Sequence, residues 1–162
     1  MSDSARIGFI GAGRVGLALS RAFARAGIPV VAVASRGRAS AEAFAAPLAG
    51  CRVFDMPQAV VDSADTVFLS VPDDVIAPLA ASLRWRSGMA VVHCSGASEL
   101  TALAVARAAD AQVGSFHPLL MFADPEVAAA ALAGCAIALE AEGALLLELE
   151  ALVAALGAQT LR

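Results

Sequence analysis

The chain has 162 residues, one domain's worth, of which 59% are hydrophobic and 16% charged, which excludes an intrinsically disordered chain. A net charge of −4 with scattered arginines argues against a nucleic-acid surface. The three cysteines, Cys51, Cys94 and Cys135, are odd in number and far apart, so they support neither a disulfide framework nor a metal site and read as reduced thiols of a cytoplasmic protein. The longest apolar run, Val127 to Leu139, is alanine-rich, interrupted by Gly134 and too short to cross a membrane. Asp3, in an N-terminus without a basic segment, argues against a signal peptide. Alanine supplies 41 of the residues, so helices are expected to pack closely without a large aromatic core.

Strand-length apolar runs alternate with helical patterns from end to end. Arg6 to Ile10 is the first predicted strand, followed by a glycine cluster and a helix whose apolar positions Val15, Leu17, Ala18, Leu19, Ala22 and Phe23 recur at helical spacing. Gly27 and Pro29 stop it. Val30 to Ala34 is a second strand, uniformly apolar as a sheet covered on both faces requires. A helix is predicted over Ala39 to Leu48, a short strand over Arg52 to Phe54, a short helix over Pro57 to Asp62 and a strong strand over Thr66 to Val71. Asp73 is a candidate cap for a helix running to about Leu83. Then come a strand over Met89 to His93, a helix over Glu99 to Ala109 and a strand over Gln112 to Phe116 ending at His117-Pro118. Asp124-Pro125 opens another helix, Cys135 to Leu139 is a strand, Ala144 to Leu156 a helix and Gln159 to Leu161 a last strand. This alternation predicts an α/β fold: a doubly wound, mostly parallel sheet with helices on both faces, in one domain over 1–162.

Gly11, Gly13 and Gly16 form G-x-G-x-x-G after a predicted strand, at the start of a helix and within a thirty-residue strand-helix-strand unit. Gly11 permits the tight turn, Gly13 lets a pyrophosphate approach the backbone, and Gly16 lets the helix pack on the strand. The helix N-terminus supplies free N–H groups, so Gly11, Ala12, Gly13, Arg14, Val15 and Gly16 are the candidate dinucleotide-binding residues. At the end of the second strand, where a carboxylate would hold the ribose 2′-OH of NAD, the chain has Ser35 and Arg36, then Arg38 and Ser40, with no acid before Glu42. A hydroxyl and a guanidinium suit a 2′-phosphate, so NADP is expected over NAD.

Three further candidates sit at strand ends. Ser70-Val71-Pro72-Asp73 either lines the cofactor with Val71 and Pro72 or is a plain proline turn capped by Asp73. His93-Cys94-Ser95-Gly96 and His117-Pro118 end what should be neighbouring strands, which would bring both histidines to one rim. His117 is the candidate proton donor or carbonyl-orienting group, and Ser95 a hydrogen-bond partner for a substrate carboxylate. Each histidine has the plainer alternative of satisfying local backbone groups. His93, Cys94 and His117 make a poor metal set, because adjacent ligands rarely converge on one ion.

Ile7-Gly8-Phe9-Ile10 with the glycine motif, then Ala34-Ser35-Arg36, Ser70 to Asp73, His93 to Ala97 and Gly114 to Leu119, occur in that order over essentially the whole chain. Together they resemble a bacterial family of Rossmann-like oxidoreductases that carry a C-terminal domain of unknown function. Its wider relatives include pyrroline-5-carboxylate reductase, prephenate dehydrogenase, 6-phosphogluconate dehydrogenase and the deazaflavin-dependent NADP reductases. The resemblance implies NADP at Gly11, Gly13, Gly16, Ser35 and Arg36, and an active-site rim near Val71, Pro72, Ser95 and His117. Proteins of this kind continue into an all-helical domain that makes a homodimer and closes the substrate pocket; that domain is expected to be absent from residues 1–162. Leu120 and Met121 are apolar where the resemblance leads one to expect polar residues.

The expected activity is hydride transfer between NADP(H) and a small carbonyl, hydroxy or imine compound. The chain has no lysine, so a lysine acid/base is not available from it. The alternatives are an NADP(H)-binding module without turnover of its own and, from a different class, a methyltransferase, against which Ser35-Arg36 weighs.

Overall fold

A computed structural model describes residues 5–162. The apolar runs become strands β1 (Ile7–Ile10), β2 (Val30–Ala34), β3 (Arg52–Val53), β4 (Thr66–Leu69), β5 (Ala90–His93), β6 (Gln112–Pro118), β7 (Ala136–Glu140) and β8 (Gln159–Leu161). Between them lie α1 (Arg14–Arg25), α2 (Arg38–Ala45), α3 (Pro57–Ser63), α4 (Asp73–Ser82), α5 (Ala104–Ala108), α6 (Pro125–Ala131) and α7 (Gly143–Ala155). The strands form one sheet in the order β3-β2-β1-β4-β5-β6-β7-β8. Every neighbouring pair is parallel except β6 and β7. This is the expected doubly wound arrangement. Strand order reverses between β1 and β4, which opens a crevice at their carboxyl ends.

The two faces of the sheet are filled differently. On one, α1, α2 and α7 cover Phe9, Phe23, Phe44, Phe68 and Phe116, all fully buried. Phe68 touches three of the other rings, with centroids 5.3 Å from Phe9 and 5.6 Å from both Phe23 and Phe116. Five of the seven phenylalanines thus gather in one cluster, so the alanine-rich composition does not spare this face an aromatic core. On the other face, α3, α4 and the turn leading into α5 pack aliphatic side chains such as Val60, Ile76 and Leu103 over Val67 and Val91. The one tryptophan, Trp85, is buried there and donates its indole N–H to the Ala80 carbonyl at 2.9 Å. Arg86 fixes the same corner by donating to the carbonyls of Val61 and Ala64 at 2.6 and 2.7 Å, closing the C-terminal end of α3.

Two local expectations are corrected. The helix predicted over Glu99 to Ala109 is a 3₁₀ turn, Leu100–Leu103, followed by the five-residue α5. The tighter winding sets Leu100 and Leu103 above one another, and Leu103 is fully buried. Asp73 is not the cap of α4: Pro72 occupies that position, no side chain caps it, and Asp73 and Asp74 lie in the first turn, where carboxylates complement the helix dipole. Among the described residues, no helix is long and apolar enough to cross a membrane.

Candidate functional site

A groove of about 600 Å³ opens at the crevice between β1 and β4. Its floor is the turn Gly11-Ala12-Gly13, one wall is Ser35, Arg36 and Ser40, and the other is Ser70, Val71, Pro72, Val75 and Leu79. The cofactor-binding candidates Gly11, Ala12, Gly13, Ser35, Arg36, Val71 and Pro72 therefore share one cavity. Arg14, Val15 and Gly16 do not line it; they begin α1. A second, smaller hollow, about 270 Å³ and lined by Ala5, Ile28, Leu145 and Leu152, is almost wholly apolar and carries no candidate residue.

The turn is built by close approach. Gly11 has φ +101°, which L side chains rarely adopt, and a Cβ there would collide with the Ser70 backbone. Ser70 donates its hydroxyl to the Gly11 carbonyl at 2.9 Å, tying the end of β4 to the turn. A Cβ on Gly16 would strike that same hydroxyl, so the start of α1 sits directly on the end of β4. At Gly13 nothing lies within 4 Å of where a Cβ would be. That open space, in front of the free N–H groups of α1, is the space a bound pyrophosphate would need.

At the β2 end, the Ser35 hydroxyl donates to the Gly37 carbonyl at 2.7 Å and closes the turn. Arg36 makes no side-chain hydrogen bond or ion pair with any described residue. Arg38 pairs with Glu42 at 3.0 Å and with Asp55. Asp55 also lines the groove, a residue the reading of the sequence passed over. It follows β3 by two residues, and because β3 neighbours β2 in the folded sheet, the residues after both strands meet at one rim.

Ser95 and His117 lie outside this groove, on the same edge of the sheet. With strands about 4.8 Å apart, they are two and three strands from β1, roughly 10–15 Å. β5 ends at His93, opposite Ser115, whereas β6 runs on because β7 pairs it through Ser115, Phe116, His117 and Pro118. The turn after β5 fills the space beside His117. His117 Nδ1 lies 3.3 Å from the Cys94 carbonyl, and its ring abuts Gly96 so closely that a Cβ there would collide with Nε2. A carbonyl only accepts, so in this contact the ring donates from Nδ1. The Ser95 Oγ accepts from the amides of Ala97 and Ser98 at 3.1 and 3.0 Å, which leaves its own proton to donate outward.

His93 does not share that rim as an accessible group. It is fully buried, and its Nδ1 accepts the Ser95 amide at 3.2 Å. Its Nε2 makes no hydrogen bond with any described residue. Burial holds its pKa below the ordinary value, outweighing the opposite pull of Glu140, the Glu99 backbone and Asp73. Cys94 is buried and its thiol is pushed up to about 12, so it offers no thiolate at neutral pH.

A mostly parallel sheet with a glycine turn and a helix N-terminus at its switch point is the Rossmann-like arrangement of α/β domains. Residues 2–118 match the Rossmann-like domain, and the chain belongs to that family. No curated protein matches its sequence. Solved structures resemble it in fold. A protein assigned as an NADP oxidoreductase from Bacteroides fragilis is 22% identical with a TM-score of 0.81, over 98% of this chain and 60% of that one. Pyrroline-5-carboxylate reductase from Coxiella burnetii is 16% identical with a TM-score of 0.75, over 99% and 60%. A reductive aminase from Aspergillus terreus, in complex with NADPH and ethyl-5-oxohexanoate, is 15% identical with a TM-score of 0.76, over 98% and 55%. The chain thus spans 55–60% of the length of these proteins.

Proposed function

We propose that the chain is the NADP-binding domain of an oxidoreductase acting on a small carbonyl, hydroxy or imine compound. The observation that carries this reading is Arg36, a guanidinium without a partner among the described residues, in the groove that begins at the Gly11-Ala12-Gly13 turn. The turn and the α1 N-terminus would hold the pyrophosphate, with Gly16 keeping the helix seated on β4. Arg36, with Ser35 and Ser40 beside it, would take the 2′-phosphate. Val71 and Pro72 would form an apolar wall toward β5. When bound, the nicotinamide supplies or accepts the hydride.

In the same proposal, Ser95 donates its free hydroxyl proton to a substrate oxygen. His117 takes or returns a proton at Nε2 while the Cys94 carbonyl holds Nδ1–H. A homodimer would cover exposed apolar side chains such as Leu119, Met121 and Val127. A binding module without turnover is the second reading, favoured by the lack of any lysine among the 162 residues. NADPH oxidation in the presence of small carbonyl and imine compounds separates the two.

Titration calorimetry with NADPH and NADH, on the wild type and Arg36→Ala, tests the cofactor reading. Losing a charge-assisted, forked contact should weaken NADPH by about 10- to 100-fold and bring it to the NADH level. Equal affinity of the wild type for both nucleotides would refute it.

A further inference from the structure

The groove contains a feature that works against an anionic ligand. Asp55 reaches the same end of it as Arg36, Ser35 and Ser40, and its side chain is 76% exposed. Glu42 stands one helical turn into α2 from Arg38 and is likewise exposed. Exposed carboxylates near a phosphate dianion seated on Arg36 would oppose it, an effect that fades beyond a Debye length of about 8 Å. Neither is free to do so. Arg38, the first residue of α2, donates its Nε to Glu42 and its Nη1 to Asp55, so one guanidinium holds both carboxylates from two edges of its fork. Asp55 comes from the connection between β3 and α3, so this contact also joins two separate segments of the rim.

We propose that Arg38 is a specificity-determining positioning residue: it draws Asp55 and Glu42 onto itself and leaves Arg36 unpaired among the described residues, open to a 2′-phosphate. The proposal rests on the NADP reading above. The two arginines and two carboxylates cancel in charge, and without Arg38 the set becomes net negative, with Asp55 released into the groove. A lysine could not do the same work, because a single ammonium lacks the planar fork that reaches both partners at once. The residue governs which nucleotide is accepted through the field at the adenosine end, with no direct contact to the phosphate.

The test uses adenosine 2′,5′-bisphosphate and adenosine 5′-monophosphate, which share all but the 2′-phosphate, titrated calorimetrically into the wild type, Arg38→Ala, and Arg38→Ala combined with Asp55→Asn. Arg38→Ala should weaken the bisphosphate about fivefold and leave the monophosphate unchanged, with a larger effect at low ionic strength. Adding Asp55→Asn should restore most of the loss, because it removes the repulsion that Arg38 had masked. Unchanged bisphosphate binding in Arg38→Ala, or equal weakening of both ligands, would overturn the proposal. So would a double variant that recovers nothing, since Arg38 would then be a direct phosphate ligand. A wild type that does not prefer the bisphosphate refutes the NADP reading itself, a result distinct from any of these.

Discussion

His93 is a buried imidazole that accepts one backbone amide, so when neutral it keeps its proton on a nitrogen with no hydrogen-bond partner among the described residues. The folded chain holds it neutral, because burial lowers its pKa below the ordinary value of about 6.5. The unfolded chain takes up that proton as the pH falls past 6.5, so below this point it binds more protons than the folded one. Stability from this residue is therefore fully present above about pH 7 and is lost as the pH drops from 6.5 toward the lowered folded value. Urea unfolding at pH 5.5 and 7.5 should show a greater acid loss in the wild type than in His93→Gln; identical losses would place the titration elsewhere. In the sequence, His93 and His117 look alike, each at the end of an apolar strand. What separates them is that β6 outruns β5, and that depends on pairing with β7 some twenty residues further along the chain. The place of Arg36 on the groove was legible because it needs only its position after β2. Asp55 and the Arg38 fork were not, because they depend on two loops meeting.

At the scale of elements, α6 shows the same division. Asp124-Pro125 announces the start of a helix: Asp124 accepts the amides of Glu126 and Val127 at 2.9 and 3.2 Å, and proline stands in the first turn. Where the helix goes is tertiary information. It docks on α1, with Ala128 and Ala129 against Ala18, and Glu126 bridges Arg21 and Arg25, the latter at 2.6 Å. A seven-residue helix has no stability of its own, so the cap and the docking must act together. Asp124→Ala should cost about 1 kcal/mol in denaturant unfolding. A change of a few tenths or less would mean that α6 is held by packing alone. The 3₁₀ turn at Leu100–Leu103 was illegible for a related reason: leucine, threonine and alanine follow either winding, and the buried seat of Leu103 decides.

For the whole molecule, the alternation of strands and helices was enough to give the doubly wound sheet, since each apolar run had to be covered on both sides. The reversed direction of β7 and the segregation of phenylalanines to one face were not, because both depend on which helix lies over which strand. The phenylalanine cluster is where stability concentrates. Phe68→Ala removes a ring that touches three others and should cost about 3–5 kcal/mol, a large share of the 5–15 kcal/mol of a typical domain. A fall of that size in the denaturant midpoint, at an unchanged slope, is the expected result; a loss below about 1 kcal/mol would mean the neighbouring rings collapse into the space. The opposite face holds the chain's one indole, and there is no tyrosine. Trp85 hangs from Ala80, next to Leu79 on the helix that forms one wall of the groove. Ultraviolet emission from this protein thus comes from a single ring at the back of that wall. The molecule carries its own dye, and its colour and brightness report on α4 without any label being attached.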